Sequence, residues 1–370
     1  MDEERKDWIQ GLLTDGVREG VYPGAVLLVA QGGGIAIFEE VGNRSLSPQA
    51  ASMTRGTIFD LASLTKPLST TLAIMKLIDE GEIDLDQTLE SLLSRDMPKD
   101  KRILTPRLLL NHCAGFVDWK PFYLELERLE VENRKESLRE LLLNMPLVYR
   151  PGDETLYSDL GFMILEWVIE ERAGMSLPEY LEKYFYAPLL LKNTFFSTSV
   201  PHAGFMEDQF AATEDCPWRK KIVSGYVHDE NAYALGGYSG HAGLFGTAED
   251  VYALVNLLRG HYHGERGDYL KRETVREFFT RQDLVKGSTW ALGWDTPSPE
   301  GSSSGKYFSA NSVGHLGFTG TSVWMDLDRD IIVIFLTNRV HPTRNNEKIK
   351  AFRPRIHDLV MEELGKAIQK

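Results

Sequence analysis

Residues 57–81 read TIFDLASLTKPLSTTLAIMKLIDEG. The stretch opens as a short apolar segment, Ile58-Phe59-Asp60-Leu61-Ala62, and passes into a helical pattern. Leu68, Leu72, Met75 and Ile78 share one helical face, and Gly81 ends it. Ser63-Leu64-Thr65-Lys66 stands where the loop enters the helix. Positions i and i+3 lie on the same face, so Lys66 is expected beside Ser63. A serine hydroxyl needs a neighbouring base to act as a nucleophile. A lysine can serve if burial or a nearby cation lowers its pKa. The helix N-terminus would also offer free N–H groups to an oxyanion.

Working outward, the segment before this helix reads as strand. Ala25–Ala30 and Ile35–Val41 are apolar runs separated by Gly32-Gly33-Gly34, which predicts a β-hairpin. A helix precedes it, with Trp8, Ile9, Leu12, Leu13 and Val17 at helical spacing and Gly20 as its stop. Beyond residue 100 the pattern is mainly helical, clearest at Leu138–Asn144 and Leu160–Arg172. Residues 207–242 are less regular. Thr247 and Asp250 suggest a capping box before another helix, although that motif prefers Glu or Gln at the second position. Residues 296–305 (TPSPEGSSSG) form a loop. Ser322–Asp326 and Ile331–Thr337 return to strand, and Leu359–Lys370 reads as a closing helix.

Strands at both chain ends and helices between them predict an α/β (α+β) fold. An antiparallel sheet flanked by helices would be built from residues 1–99 and 241–370, with residues 100–240 inserted as a mostly helical domain. A cleft between the two parts would hold the site.

Composition limits the function. The 370 residues carry 41 Lys plus Arg against 54 Asp plus Glu, a formal net charge of −13. That balance argues against nucleic-acid binding by counterion release. The two cysteines, Cys113 and Cys216, show no C-x-x-C spacing, which excludes a disulfide framework and disfavours structural zinc. No apolar run is long enough to span a bilayer. The opening MDEERKDWIQ has no signal-like apolar core, so a cytoplasmic location is expected; a chain that had lost a signal would be periplasmic or secreted.

The S-x-x-K spacing alone carries little weight. Ser303 and Lys306 show the same spacing inside the Ser/Gly loop, where nothing holds the pair. Two further segments change this. Tyr157-Ser158-Asp159 precedes an apolar helix. His315-Leu316-Gly317 precedes a Phe318-Thr319-Gly320-Thr321 turn and strands. With Ser63-x-x-Lys66 they resemble the three signature elements of the serine β-lactamase and penicillin-binding protein superfamily. The resemblance is nearest to class C β-lactamases and the related esterases and D-amino-acid peptidases. Ile103–His112, Gly240–Phe245 with Thr247–Asp250, Leu292-Gly293-Trp294 and Leu336–Arg339 add to it, so it runs in order from about residue 20 to 345.

The resemblance implies roles. Ser63 would be the acylated nucleophile, Lys66 its proton acceptor and Tyr157 a second proton-transfer group. The amides of Ser63 and Phe318 would form the oxyanion hole. Asp159, His315 and Gly317 would contact substrate, with Gly317 leaving room for it along the strand. No metal and no cofactor are implied, and the partner is a small-molecule substrate. Oligomeric state is not legible.

Two departures bear on the substrate. His315 stands where penicillin-interacting relatives usually carry Lys, and a free His is mostly neutral at pH 7. Asp159 stands where many relatives carry Asn, and an ionised Asp cannot donate to a carbonyl. Both favour carboxylic esters or small D-amino-acid amides over β-lactams. The alternatives are a class C-type β-lactamase or D-amino-acid peptidase, and a penicillin-binding or ligand-sensing protein without turnover. A metal reading of His228, Asp229 and His241 matches no short zinc motif. An ordered rim loop is the better account, and Asp118 and Trp119 are further rim candidates. Cys113, next to His112, is expected to be buried and without a catalytic role.

Overall fold

The structure, a computed structural model, describes residues 3–196 and 206–368. Helix α1 (Glu3–Arg18) leads into strands β1 (Gly24–Gln31) and β2 (Gly34–Ser45), followed by the short β3 (Ala51–Ser52). The hairpin closes through Gly32 and Gly33, with Gln31 facing Gly34. Both glycines have positive φ (58° and 74°), the backbone that a two-residue hairpin loop requires. Near the other end of the chain come β4 (Ser312–Leu316), β5 (Ser322–Asp326) and β6 (Ile331–Thr337). The six strands form one antiparallel sheet in the order β3-β2-β1-β6-β5-β4. The two halves meet at β1 and β6, from Ala25 opposite Thr337 to Gln31 opposite Ile331.

These central strands are buried on both faces, which is why they read as continuous apolar runs. Val26, Leu28, Ala30, Ile332 and Ile334 point into the main core. Ala25, Leu27, Val29, Val333 and Phe335 point the other way, onto α1 and α7 (Ile349–Ile368). That alternation is the two-residue period of a strand. The main core also holds Leu138, Leu142 and Trp167, so the same apolar cluster extends from the sheet into the helical middle.

Several elements differ from the sequence expectation. In α1, Ile9 and Leu13 are fully buried, while Trp8, expected on the same face, is 64% exposed. Helix α7 begins ten residues earlier than its apolar pattern suggested and carries Pro354 inside it. Pro354 lacks an N–H donor, but Ile349, Phe352, Ile356 and Val360 pack the helix onto the sheet regardless. The middle region is not purely helical. The pairs Phe195–Phe196 with Leu244–Gly246, and Asp215–Cys216 with Lys221–Ile222, are short strands.

The helices that frame the site are α2 (Leu72–Asp79), α3 (Val131–Asn144), α4 (Asp159–Ala173) and α5 (Ala248–His263), followed along the chain by α6 (Arg272–Phe279). Ser158 caps α4, its hydroxyl accepting from the Leu160 amide, and Gly174 ends it at φ 64°. Thr247 caps α5 through the Asp250 amide. The box is only half made, because the Asp250 carboxylate accepts from the Asn193 amide instead. Among the described residues, no helix is long and apolar enough to cross a membrane.

Candidate active site

The segment before α2 is not one continuous α-helix. A tight 3₁₀ turn covers Ala62–Leu64, and wider π-type turns cover Lys66–Thr71. Pro67 follows Lys66 and cannot donate into a regular ladder, and π turns are frequent at functional sites. Ala62 sits at φ 48°, in the left-handed region, immediately before Ser63. Such a backbone persists only when its surroundings enforce it. Asp60 does so on both sides: one carboxylate oxygen accepts from the Ala62 amide at 2.9 Å, the other from the His228 amide at 2.6 Å. The Thr319 hydroxyl donates to Asp60 O and the Thr321 hydroxyl to Leu61 O, tying the turn after β4 to the serine segment.

The Lys66 ammonium is completely buried and donates three ways. Its Nζ lies 3.1 Å from Ser63 Oγ, 2.6 Å from Asp159 Oδ1 and 3.2 Å from His241 O. Burial is the largest influence on Lys66 and pushes its pKa down. Asp159 and Tyr157 together outweigh it, so the net shift is upward and the lysine is held as a cation. The sequence reading looked to burial to free this amine; the carboxylate reverses the balance. Asp159, expected to meet substrate, gives Oδ1 to Lys66.

Tyr157 ends the extended segment before the Ser158 cap, so its ring and Asp159 both reach Lys66. The Tyr157 ring centroid lies 4.9 Å from Lys66 Nζ. Burial pushes its phenol up, opposed by Lys66 and Ser63, and the net shift is upward. An aromatic wall backs it: Trp290 stacks at 5.6 Å, and His112 lies 4.7 Å from Tyr157 and 4.4 Å from Trp290.

His315 is buried on β4, with Nδ1 2.9 Å from Leu316 O. Burial, reinforced by Lys66, pushes it down to about 3, so it is neutral. It supplies no cation for a substrate carboxylate. Gly317 is also constrained from within the protein. A Cβ there would meet Thr321 Oγ1 at 2.0 Å and Leu61 O at 2.6 Å, so the glycine lets the strand end approach the serine segment. The Phe318 amide, just past β4, has no hydrogen-bond partner among the described residues.

Ser63, Tyr157, Asp159, His315, Gly317 and Phe318 line one cavity of about 710 Å³. Asp118, Trp119, His228, Asp229 and His241 line it too, the place expected of a rim. Asp159, Asp229 and His241 bring ligand atoms within 4.8 Å of one another. His228 is not among them and pairs with Glu214 at 3.2 Å. In this group Asp229 bonds His241 Nε2 at 3.0 Å and the Ala232 amide at 2.7 Å, and Asp159 holds Lys66, so the donor set is occupied by protein cations and N–H groups. That does not fit a resident metal. Cys113 is buried, and burial pushes its thiol up to about 11, far from a thiolate nucleophile.

Sequence reasoning missed several supports. Glu166 on α4 is buried and accepts from the Ser239 hydroxyl and the Gly240 amide, setting the segment whose His241 carbonyl receives Lys66. Asp60 had no local signal either, nor did Trp290 and Arg353, which line the cavity. Asp60 acts on a partner distant in sequence, the His228 amide.

The chain is similar to known proteins. A protein from Salmonella typhi, provisionally named a D-alanyl-D-alanine carboxypeptidase, is 32% identical over 92% of this chain and 83% of its own length. The solved structure of EstCE1, described as a hydrolase with promiscuous acyltransferase activity, superposes with a TM-score of 0.76 at 25% identity. It covers 97% of this chain and 99% of its own. An octameric penicillin-binding protein homologue from Pyrococcus abyssi shares the fold, with a TM-score of 0.72 at 20% identity over 98% of this chain and 77% of its own. The family model described as Beta-lactamase matches residues 9–354, and the chain belongs to that family.

Proposed function

We propose that the protein is a serine hydrolase that cleaves carboxylic esters, or small amides, through an acyl-enzyme on Ser63. One observation carries this reading: a buried lysine bonded to Ser63 Oγ, set beside a tyrosine, at the wall of a cavity that can hold a substrate. Ser63 Oγ attacks the carbonyl carbon as its proton passes to Lys66, which acts through the minor free-amine fraction left by its pairing with Asp159. The developing oxyanion faces the amides of Ser63 and Phe318. Tyr157 keeps its proton because burial holds the phenol up. It gives that proton to the departing oxygen and is refilled from Lys66. Water then attacks the acyl-enzyme, releasing the acid and restoring the Ser63 hydroxyl. No step uses a metal or cofactor.

The ester preference over β-lactams rests on the neutral His315 and on Asp159. The name of the Salmonella relative favours a second reading, a D-amino-acid peptidase acting through the same serine. Stopped-flow turnover of p-nitrophenyl butyrate beside a chromogenic cephalosporin and the D-alanine anilide D-Ala-p-nitroanilide tests both, on the intact chain and on Ser63→Ala. A burst on the ester, lost in Ser63→Ala, with slow cephalosporin turnover is the expected result. Efficient cephalosporin hydrolysis would make it a β-lactamase. A stable adduct on Ser63 without product release would make it a ligand-sensing protein.

A further inference from the structure

The reaction assigned to Ser63 leaves a buried histidine beside Tyr157 unused. His112 follows the short helix Pro106–Leu110, is 2% exposed and has φ 56°. Few non-glycine residues adopt that left-handed backbone, and it persists only where the surrounding structure holds it. Here the conformation accompanies a hold on the chain at both sides of Tyr157. The Leu156 amide donates to His112 O at 3.0 Å, and the Ser158 amide donates to His112 Nδ1 at 3.1 Å. One residue therefore fixes the neighbour before the tyrosine with its carbonyl and the neighbour after it with its ring. The Tyr149 hydroxyl, donating to the same carbonyl at 3.2 Å, steadies that carbonyl.

The ring also packs against the phenol. Its centroid lies 4.7 Å from that of Tyr157, 4.4 Å from Trp290 in an edge-on contact and 5.3 Å from Phe162. Trp290, which stacks on Tyr157, is held by the same segment, because Asn111 Nδ2 donates to Trp290 O at 2.9 Å. An imidazole nitrogen that accepts from an amide carries no proton, so the ring proton belongs on Nε2. Burial, reinforced by the Lys66 charge, acts in the same direction and pushes His112 well below the ordinary histidine range.

We propose that His112 is the positioning residue that aims the Tyr157 hydroxyl at the departing oxygen, by pinning the backbone on both sides of it. This rests on the proton-transfer role assigned to Tyr157 above. It predicts a dependence on the leaving group. An alkoxide needs a proton as it departs and p-nitrophenolate scarcely does, so a misaimed Tyr157 slows alkyl esters selectively.

The test compares kcat/KM for p-nitrophenyl butyrate with that for ethyl butyrate on the full chain. Both esters form the same acyl-enzyme, so their ratio reports the leaving-group step, and any loss of folded protein cancels from it. His112→Leu removes the acceptor and should raise the ratio on the order of tenfold or more, as should Tyr157→Phe. His112→Asn keeps an acceptor and tolerates positive φ, and should bring the ratio back toward that of wild type. Adding Tyr157→Phe to His112→Leu should raise it no further. A ratio in His112→Asn as high as in His112→Leu, or an additive rise in the double variant, would overturn the proposal. If His112→Leu does not fold, ¹⁵N NMR of the histidine-labelled wild type decides. The His112 signal, identified by its loss in His112→Asn, should show a neutral ring protonated at Nε2; a proton on Nδ1 would overturn the proposal. A ratio that rises in Tyr157→Phe but not in His112→Leu sinks this inference alone. A ratio that Tyr157→Phe leaves unmoved refutes the proton role of Tyr157 itself.

Discussion

Asp159 Oδ1 lies 2.6 Å from Lys66 Nζ, and the lysine side chain has no exposure to solvent. A short contact with a carboxylate stabilises the ammonium that burial alone would destabilise. The same ammonium donates to Ser63 Oγ. The pair therefore sets the pH at which Lys66 can take the serine proton.

Asp159→Asn should remove the charge that holds the Lys66 pKa up and leave burial, the largest influence, unopposed by that carboxylate. The free amine would then exist at lower pH. The acid limb of the kcat/KM profile for p-nitrophenyl butyrate should move down by roughly one unit or more. An unmoved limb would show that Lys66 is not the titrating base.

Gly317→Ala would put a methyl group against Thr321 Oγ1 and Leu61 O, the backbone just before Ser63. Thr321 already bonds Leu61 O at 3.1 Å, so neither can give way freely. Stability should fall by about 1–3 kcal/mol, and ester turnover by roughly 100-fold as the serine is displaced. Thermal melts and kcat together check this; a variant with normal turnover would show that the contact is dispensable.

The cluster of Ser63, Lys66 and Tyr157 was legible because its spacing is local and its motifs are ordered along the chain. Ser63 and Lys66 are three residues apart, and Tyr157 and Asp159 belong to a short segment read as preceding an apolar helix. The paired apolar runs of β1 and β6 likewise showed a sheet that both chain ends would build. What tertiary partners decide was not legible. Nothing local marks Ala62 for a left-handed backbone, since Asp60 and His228 impose it from 168 residues apart. The charge state of Lys66 depends on a carboxylate 93 residues away. Trp8 has the right helical phase and still faces solvent, because the cluster beneath the sheet takes Ile9, Leu12, Leu13 and Val17 but not Trp8.

Stability should fall in mild acid, and His357 reports one cause. It is buried in α7 with Nδ1 2.9 Å from Ser303 O, and burial pushes it down to about 3. The unfolded chain takes up a proton near pH 6.5 while the folded chain does not. Stability from this group is therefore intact above about 6.5 and is lost as the pH falls toward 3. The loss is about 1.4 kcal/mol per pH unit in that window. His357→Gln should flatten the decline in unfolding free energy between pH 7.5 and 5.5, measured by urea titration. An equal decline in both proteins would rule out His357 as a contributor.

The central claim is covalent chemistry at Ser63, and the most direct measurement is the mass of the protein quenched during turnover of p-nitrophenyl butyrate. The predicted result is one added butyryl group, mapped by peptide fragmentation to Ser63 and absent from Ser63→Ala. Product formation with no adduct, or an adduct on another residue that persists in Ser63→Ala, would contradict it.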